Sequence, residues 1–374
     1  MIADLNPGTR LLLGPGPSMV HPRVLRAMAT PLVGHLDPDF LRILGDIRLL
    51  LRRLFQTENE LTLAISGTGT SAMEAALANL IEPGDPLLAC VHGFFGDRLA
   101  EIARRYGAQV ERLERPWGAY TEPDAVEPAL RKRPAKIVTL VHAETSTGVL
   151  QPDIAGIAEV CHRHGAVLVL DCVTSLGGIP VDIDRWGADI AYGASQKALS
   201  APPGMAPITV SPRAREVIAH RRSSVPVFYF DLELLHRYWS DTPAYHHTAP
   251  ISTAYALREA LRLAFEEELD KRYQRHRENA ERLWRGLEAM DLELLVPEAH
   301  RLTTLTTPCI PGTWDEAGLR RRLLETYGIE IAGGFGPLAG RVWRIGLMGH
   351  SSRRENVLTF LAALGELLRD GHSP

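Results

Sequence analysis

Residues 188–204 read A-D-I-A-Y-G-A-S-Q-K-A-L-S-A-P-P-G, and the lysine within them, Lys197, decides how the rest of the chain is read. The run 190–192 is apolar and suits a short buried strand, after which Ala, Ser, Gly and Pro carry the chain into a loop. Lys197 therefore stands where a strand hands over to a loop. The chain holds 41 basic residues, yet only Lys132, Lys136, Lys197 and Lys271 are lysine. The other three lie in polar or helical stretches that read as solvated surface. Arginine keeps its charge and cannot form an imine, whereas lysine can lose its proton and become a nucleophile. On position alone a strand-end lysine reaching water is the commoner case.

Twenty-six positions earlier, Asp171 closes the apolar run A-V-L-V-L-D (166–171). Burying a carboxylate there is expensive unless a cation meets it. A strand-end Mg²⁺ is one candidate. The protonated ring nitrogen of pyridoxal phosphate (PLP) is another, and a lysine on the next strand's exit loop would then react with that cofactor's aldehyde. A third feature is a phosphate cup. The run 61–65 leads into Ser66-Gly67-Thr68-Gly69-Thr70, and 71–81 follows with high helix propensity. A glycine-rich turn feeding a helix N-terminus attracts a phosphate. Gly67, Gly69 and Ala72 also fit G-x-G-x-x-A, a dinucleotide fingerprint. That reading needs an acid at the end of the next strand. The strand 86–91 runs instead into His92-Gly93 and leaves Lys197 without a role, so an NAD-dependent oxidoreductase is the weaker alternative.

A length of 374 residues allows two domains with substantial cores, and a net charge of −4 without a basic stripe argues against nucleic acid. The four cysteines, Cys90, Cys161, Cys172 and Cys309, form no C-x-x-C pair, which suits reduced thiols in the cytoplasm. No signal-peptide pattern, membrane-length apolar stretch or S-K-L terminus is present. The 14 histidines show no ligand spacing, so no metal site is expected. His246 and His247, adjacent on an extended segment, are expected to point opposite ways.

Residues 1–20 read as an irregular arm, because Gly14-Pro-Gly-Pro17 opposes regular structure. From 21 to about 255 helical and strand patterns alternate, which predicts an α/β domain with a mainly parallel sheet covered on both faces. Helices are expected at 23–29, 39–54, 71–81, 96–106, 123–131 and 154–164, with strands at 136–142 and 166–171. A long linking helix is expected over about 252–290. It leads into a smaller α+β domain, 256–374, with strands near 301–310, 329–332 and 342–347 and helices at 314–326 and 353–369. In such sheets ligands sit at the strand C-termini, where the glycine-rich turn, Asp171 and Lys197 all fall.

Seven motifs in order, L-L-L-G-P-G-P (11–17), I-S-G-T-G-T (65–70), E-T-S-T-G-V-L-Q-P (144–152), D-C-V-T-S-L-G-G (171–178), S-Q-K-A-L-S-A-P-P-G (195–204), Y-H-H-T (245–248) and R-I-G-L (344–347), together resemble the class V aminotransferases. The likeness is to the alanine–glyoxylate / serine–pyruvate group, and it implies fold type I with PLP as cofactor. It implies that Lys197 forms the Schiff base and moves the proton, and that Asp171 pairs with the pyridine nitrogen while Val173 packs on the ring. Thr68, Gly69, Thr70 and Gln196 would hold the phosphate, and Thr145 would donate to the phenolic oxygen. Phe95 falls where the group commonly stacks a tryptophan. Arg344 would clamp the substrate carboxylate, while Tyr245 and Thr248 would reach the neighbouring subunit's phosphate in a homodimer.

The bland readings stand beside these. Thr and Gly in turns are ordinarily turn chemistry, and Phe95 alone would be core. Arg344 is one of 37 arginines, but V-W-R-I-G-L sets it inside an apolar strand, where its charge needs an anion. The resemblance implies ping-pong transfer from L-alanine or L-serine to glyoxylate or pyruvate. Relatives with ureidoglycine, aminoethylphosphonate, taurine or pyridoxamine as donor are the alternatives, followed by a PLP lyase or desulfurase.

Overall fold

Largely aliphatic runs build the central sheet, and its inner strands are buried, while the edge strand Gln109–Glu114 is polar and partly exposed. The computed structural model describes residues 2, 4–240 and 242–371. Its seven-stranded sheet has the spatial order Leu61–Gly67, Gly204–Val210, Ile190–Tyr192, Val167–Asp171, Ile137–Val141, Pro86–Val91 and Gln109–Glu114. The last five of these lie parallel to one another. Only Gly204–Val210 runs antiparallel to its neighbours. Helices Pro38–Phe55, Gly69–Leu80, Phe94–Arg105 and Ile154–Arg163 cover the sheet, and their Leu, Ile and Ala faces join one large core. The α/β architecture expected from the alternating pattern is the one observed.

Register sets the site. Val141 lies opposite Asp171, and Asp171 lies opposite Tyr192, so three strands end at one level. The Gly204–Val210 strand was not expected, because A-P-P-G-M-A-P reads as loop. It tolerates Pro207 because the ladder to Ile190–Tyr192 uses only 208–210, so no cross-strand N–H is required of the proline on that side.

Three expectations need correction. The arm is not irregular throughout: Leu11–Leu12 pairs in parallel with Ile329–Glu330, and Leu13 is fully buried. The single helix expected over 252–290 is two helices, Ile251–Glu266 and Leu269–Glu288. They break at Glu268, whose φ of +65° no helix accommodates. The strand expected over 301–310 is regular only at Leu305–Thr306.

A second core gathers Leu13, Leu283, Trp343, Ile345 and Phe360. It packs on a three-stranded sheet ordered Leu305–Thr306, Trp343–Gly346, Ala332–Gly333. Arg344 thus occupies the middle strand, opposite Ala332. Among the described residues, no helix is long and apolar enough to cross a membrane.

Candidate active site

Asp171 ends its strand fully enclosed, and both carboxylate oxygens are held. Val173 N–H donates to Oδ1 at 2.8 Å and the Tyr192 hydroxyl donates to Oδ2 at 3.0 Å. Burial pushes this carboxyl up to about 7, against those two hydrogen bonds. Tyr192 was missed by sequence reading. It was findable, since a tyrosine at the end of the adjacent strand stands level with the aspartate.

Lys197 lies in the loop after Ile190–Tyr192, as expected, and its Nζ donates to the Pro15 carbonyl. Burial, and then the Arg344 charge, lower its pKa to about 8; Asp171 opposes this and Arg98 adds to it. The arm crosses directly above the amine. A Cβ at Gly16, where φ is +103°, would sit 2.7 Å from Lys197 Cδ, so only glycine fits both the backbone and the space.

The glycine-rich turn also lies where the pattern placed it. Helix Gly69–Leu80 begins after Thr68, which makes no side-chain cap, so the helix start keeps donors for an incoming anion. Gly69 is wedged against the aspartate's loop: a Cβ there would meet Val173 Cγ2 at 2.9 Å and Ala194 Cβ at 3.2 Å. Beside Lys197, Gln196 Oε1 is buried with no hydrogen-bond partner among the described residues.

Helix Phe94–Arg105 brings Phe95 and Arg98 to the same region. The Arg98 guanidinium lies 5.0 and 5.1 Å from the Phe94 and Phe95 ring centres and donates to Thr70 Oγ1 at 3.3 Å. The start of that helix is capped by the buried Glu144 carboxylate, which accepts from Phe95 N–H at 3.2 Å, Gly96 N–H at 3.3 Å and Ser146 Oγ at 2.6 Å. Burial raises the Glu144 pKa. The next residue, Thr145, is buried and shares a short hydroxyl contact with Thr174. Neither Arg98 nor Glu144 was singled out by sequence reading.

Arg344 is buried, with Nε donating to the Gly333 carbonyl at 2.7 Å and the guanidinium 3.8 Å from the Phe335 ring centre. Among the described residues it meets no carboxylate in ion-pair range. Burial lowers its pKa to about 10, with Glu144 opposing. Such a caged guanidinium, close enough to Lys197 to depress its pKa, has the geometry to accept an anion.

Tyr245 and Thr248 stand apart from the rest. Tyr245 is 63% exposed and packs beside His35 at 5.4 Å between ring centres, and Thr248 is also exposed. His247, between them, reaches the glycine-rich turn: its Nε2 lies 2.9 Å from Ser66 Oγ. His246 and His247 do not diverge as expected, since their Nδ1 atoms share a hydrogen bond at 2.8 Å.

The model of the family "Aminotransferase class-V" matches residues 11–343. The chain belongs to the class V aminotransferases. Its fold superposes on the crystal structure of an alanine–glyoxylate aminotransferase from Nostoc sp. with a TM-score of 0.97 and 50% identity, covering 98% of this chain and 97% of that one. A ureidoglycine–glyoxylate aminotransferase from Bacillus subtilis gives a TM-score of 0.97 and 44% identity over 99% of this chain and 96% of its own. The alanine–glyoxylate aminotransferase of Oryctolagus cuniculus is 43% identical over 96% of this chain and 93% of its own length.

Class V aminotransferases use PLP, and the residues of this aminotransferase fit that group. A buried carboxylate with no ion-pair partner among the described residues suits a ring cation. The uncapped helix start, with its free N–H donors, suits a phosphate edge. An amine with a pKa of about 8 suits a carbonyl carbon.

Proposed function

We propose that this aminotransferase moves an amino group from a small α-amino acid to glyoxylate by a ping-pong cycle, with L-alanine or L-serine as donor. The observation that carries the reading is the buried Arg344 guanidinium, without a carboxylate of its own among the described residues and coupled to Lys197. Ureidoglycine is the second donor reading, favoured by the Bacillus subtilis relative. It carries the same α-carboxylate and would use the same clamp.

Each side chain then has a task. Bound PLP would supply an electrophilic carbon for the amino group and a ring that accepts electrons from the substrate Cα. Lys197 would carry the Cα proton to its new position, and its pKa of about 8 keeps a useful neutral fraction near neutral pH. Asp171, fixed by Val173 and Tyr192, would present a negative charge to the ring nitrogen, while Val173 and Phe95 pack on the ring faces. Thr68, Gly69, Thr70 and Gln196 would hold the phosphate, and Thr145 would donate to the phenolic oxygen. Arg344 would fix the carboxylate through two parallel hydrogen bonds and so aim Cα at the Lys197 amine.

We further propose a homodimer, in which the exposed Tyr245 and Thr248 complete the partner's phosphate site. Residues 21–255 would form the cofactor domain and 256–374 the small domain. The Arg344 strand belongs to the latter, so carboxylate binding would draw the two together.

The test is donor-dependent turnover of the PLP-loaded protein. With L-alanine and glyoxylate, pyruvate formation should be robust and Lys197→Ala should abolish it while the dimer persists. Turnover with ureidoglycine and none with alanine would select the second donor. Appreciable activity in Lys197→Ala would refute the assignment of the amine.

A further inference from the structure

One cavity lies away from the Lys197 site. It is a cleft of about 480 Å³, bordered by none of Lys197, Asp171 and Arg344. That volume falls in the range of small-molecule sites. Distant parts of the chain meet there: His142 after its strand, Trp186 on Ile183–Trp186, Tyr273 and Arg277 on Leu269–Glu288, and Thr303.

The rim is cationic. Arg185 and Arg277 both border the cleft, and among the described residues neither guanidinium is engaged by a carboxylate. Many other arginines do find an acid, as Arg23, Arg112, Arg215 and Arg275 show. The acid on the rim, Asp153, is turned to its own helix, where it accepts from Gly156 N–H at 2.9 Å. The walls are apolar and aromatic. Ile154 and Ile179 line them, and the Trp186 ring meets the His142 edge with 4.8 Å between centres.

Three of the lining side chains carry buried polar atoms with no hydrogen-bond partner among the described residues: His142 Nδ1, Tyr273 Oη and Thr303 Oγ1. Burial lowers His142 to about 3 and raises Tyr273 to about 12, so the first is a neutral imidazole and the second an intact hydroxyl. Unpaired buried polar atoms are costly, and a ligand that supplies their partners would recover that cost.

We propose that this cleft binds a small aromatic carboxylate carrying a hydroxyl at its far end. The carboxylate lies between Arg185 and Arg277, the ring packs on Trp186 and the isoleucine wall, and the hydroxyl meets the polar atoms of Tyr273, Thr303 and His142. The site borders the catalytic strand ends without sharing their residues: His142 N–H donates to the Asp171 carbonyl at 2.9 Å, and Thr304, next to Thr303, donates to the Thr174 carbonyl at 3.0 Å.

The test is calorimetric titration of the cofactor-loaded protein with 4-hydroxybenzoate. Saturable binding is expected, weakened about tenfold or more by Arg185→Ala with Arg277→Ala, several-fold by Tyr273→Phe, and left unchanged by Arg344→Ala. The uncharged 4-hydroxybenzamide should bind at least about tenfold more weakly than the acid. No saturable heat up to about 10 mM would overturn the proposal. Binding that survives the double arginine variant but disappears in Arg344→Ala would overturn it too, by placing the probe in the substrate site.

Discussion

Replacing Asp171 by asparagine should stabilise the cofactor-free protein at alkaline pH while it cripples the loaded enzyme. In the folded chain burial moves this carboxyl from 3.8 to about 7. The folded state therefore holds its proton more tightly than the unfolded state does. Stability falls as pH rises from about 4 to about 7, because the ionised group is favoured in the unfolded chain. At about 1.4 kcal/mol per pH unit, the burden reaches roughly 4 kcal/mol above pH 7 and under half of that at pH 5. Relaxation and water entry reduce such costs, so about 2 kcal/mol is a fair expectation at pH 8. Asparagine has the same shape and no charge, and its amide can still accept from Val173 N–H and pair with the Tyr192 hydroxyl. Thermal unfolding of both apoproteins, stripped of cofactor with hydroxylamine, should show the variant ahead at pH 8 and the gap shrinking at pH 5. Adding PLP should stabilise the wild type more than the variant, because a ring cation would relieve the aspartate. A gap that is equal at both pH values, or that favours the wild type at pH 8, would show that Asp171 does not carry the desolvation cost assigned to it.

Five further substitutions test separate links. Arg344→Gln and Arg98→Leu should each raise the pH midpoint at which the apoprotein takes up PLP, since both cations depress Lys197; the Arg344 change should move it further. Glu144→Leu removes the carboxylate that caps Phe94–Arg105, so amide exchange should speed up at Phe95 and Gly96 before any global loss of fold. Gly346→Ala would set a Cβ 2.1 Å from the Gly14 carbonyl oxygen, costing about 3 kcal/mol, and turnover should fall because Pro15 next to it holds Lys197. Glu268→Gly should instead raise stability by about 0.5–1 kcal/mol in urea titration, as relief of a positive φ exceeds the added glycine entropy and the exposed Lys271 pair contributes little.

What could be read in advance divides along physical lines. Asp171 announced itself because a charge at the end of five apolar residues has no cheap explanation, and Lys197 because lysine is scarce in a chain that otherwise uses arginine. The helix from Gly69 was visible for a similar reason, since local propensity and the preceding glycines agree. Features that depend on partners far away in sequence were not visible. The Leu11–Leu12 strand exists only because Ile329–Glu330 offers it an edge, more than three hundred residues later. The Gly204–Val210 strand is held in place by two neighbours despite Pro207 within it. Arg98 looked like any arginine on an amphipathic helix, and nothing local says that Thr70 and two phenylalanine rings wait for it. Glu144 gave no comparable signal, because its neighbours in V-H-A-E-T-S-T are mostly polar and its burial comes from packing. Its remedy is a helix start rather than a ligand, and that difference is invisible until the Phe94–Arg105 helix is seen to point at it. A buried charge in an apolar frame can thus be located from sequence, but the chemistry that neutralises it is decided by tertiary packing. By the same reasoning Arg344, located as readily as Asp171, packs on Phe335 and donates to backbone carbonyls, with no carboxylate in ion-pair range among the described residues. That leaves its charge open to an anion from outside the chain, as the proposed carboxylate clamp requires.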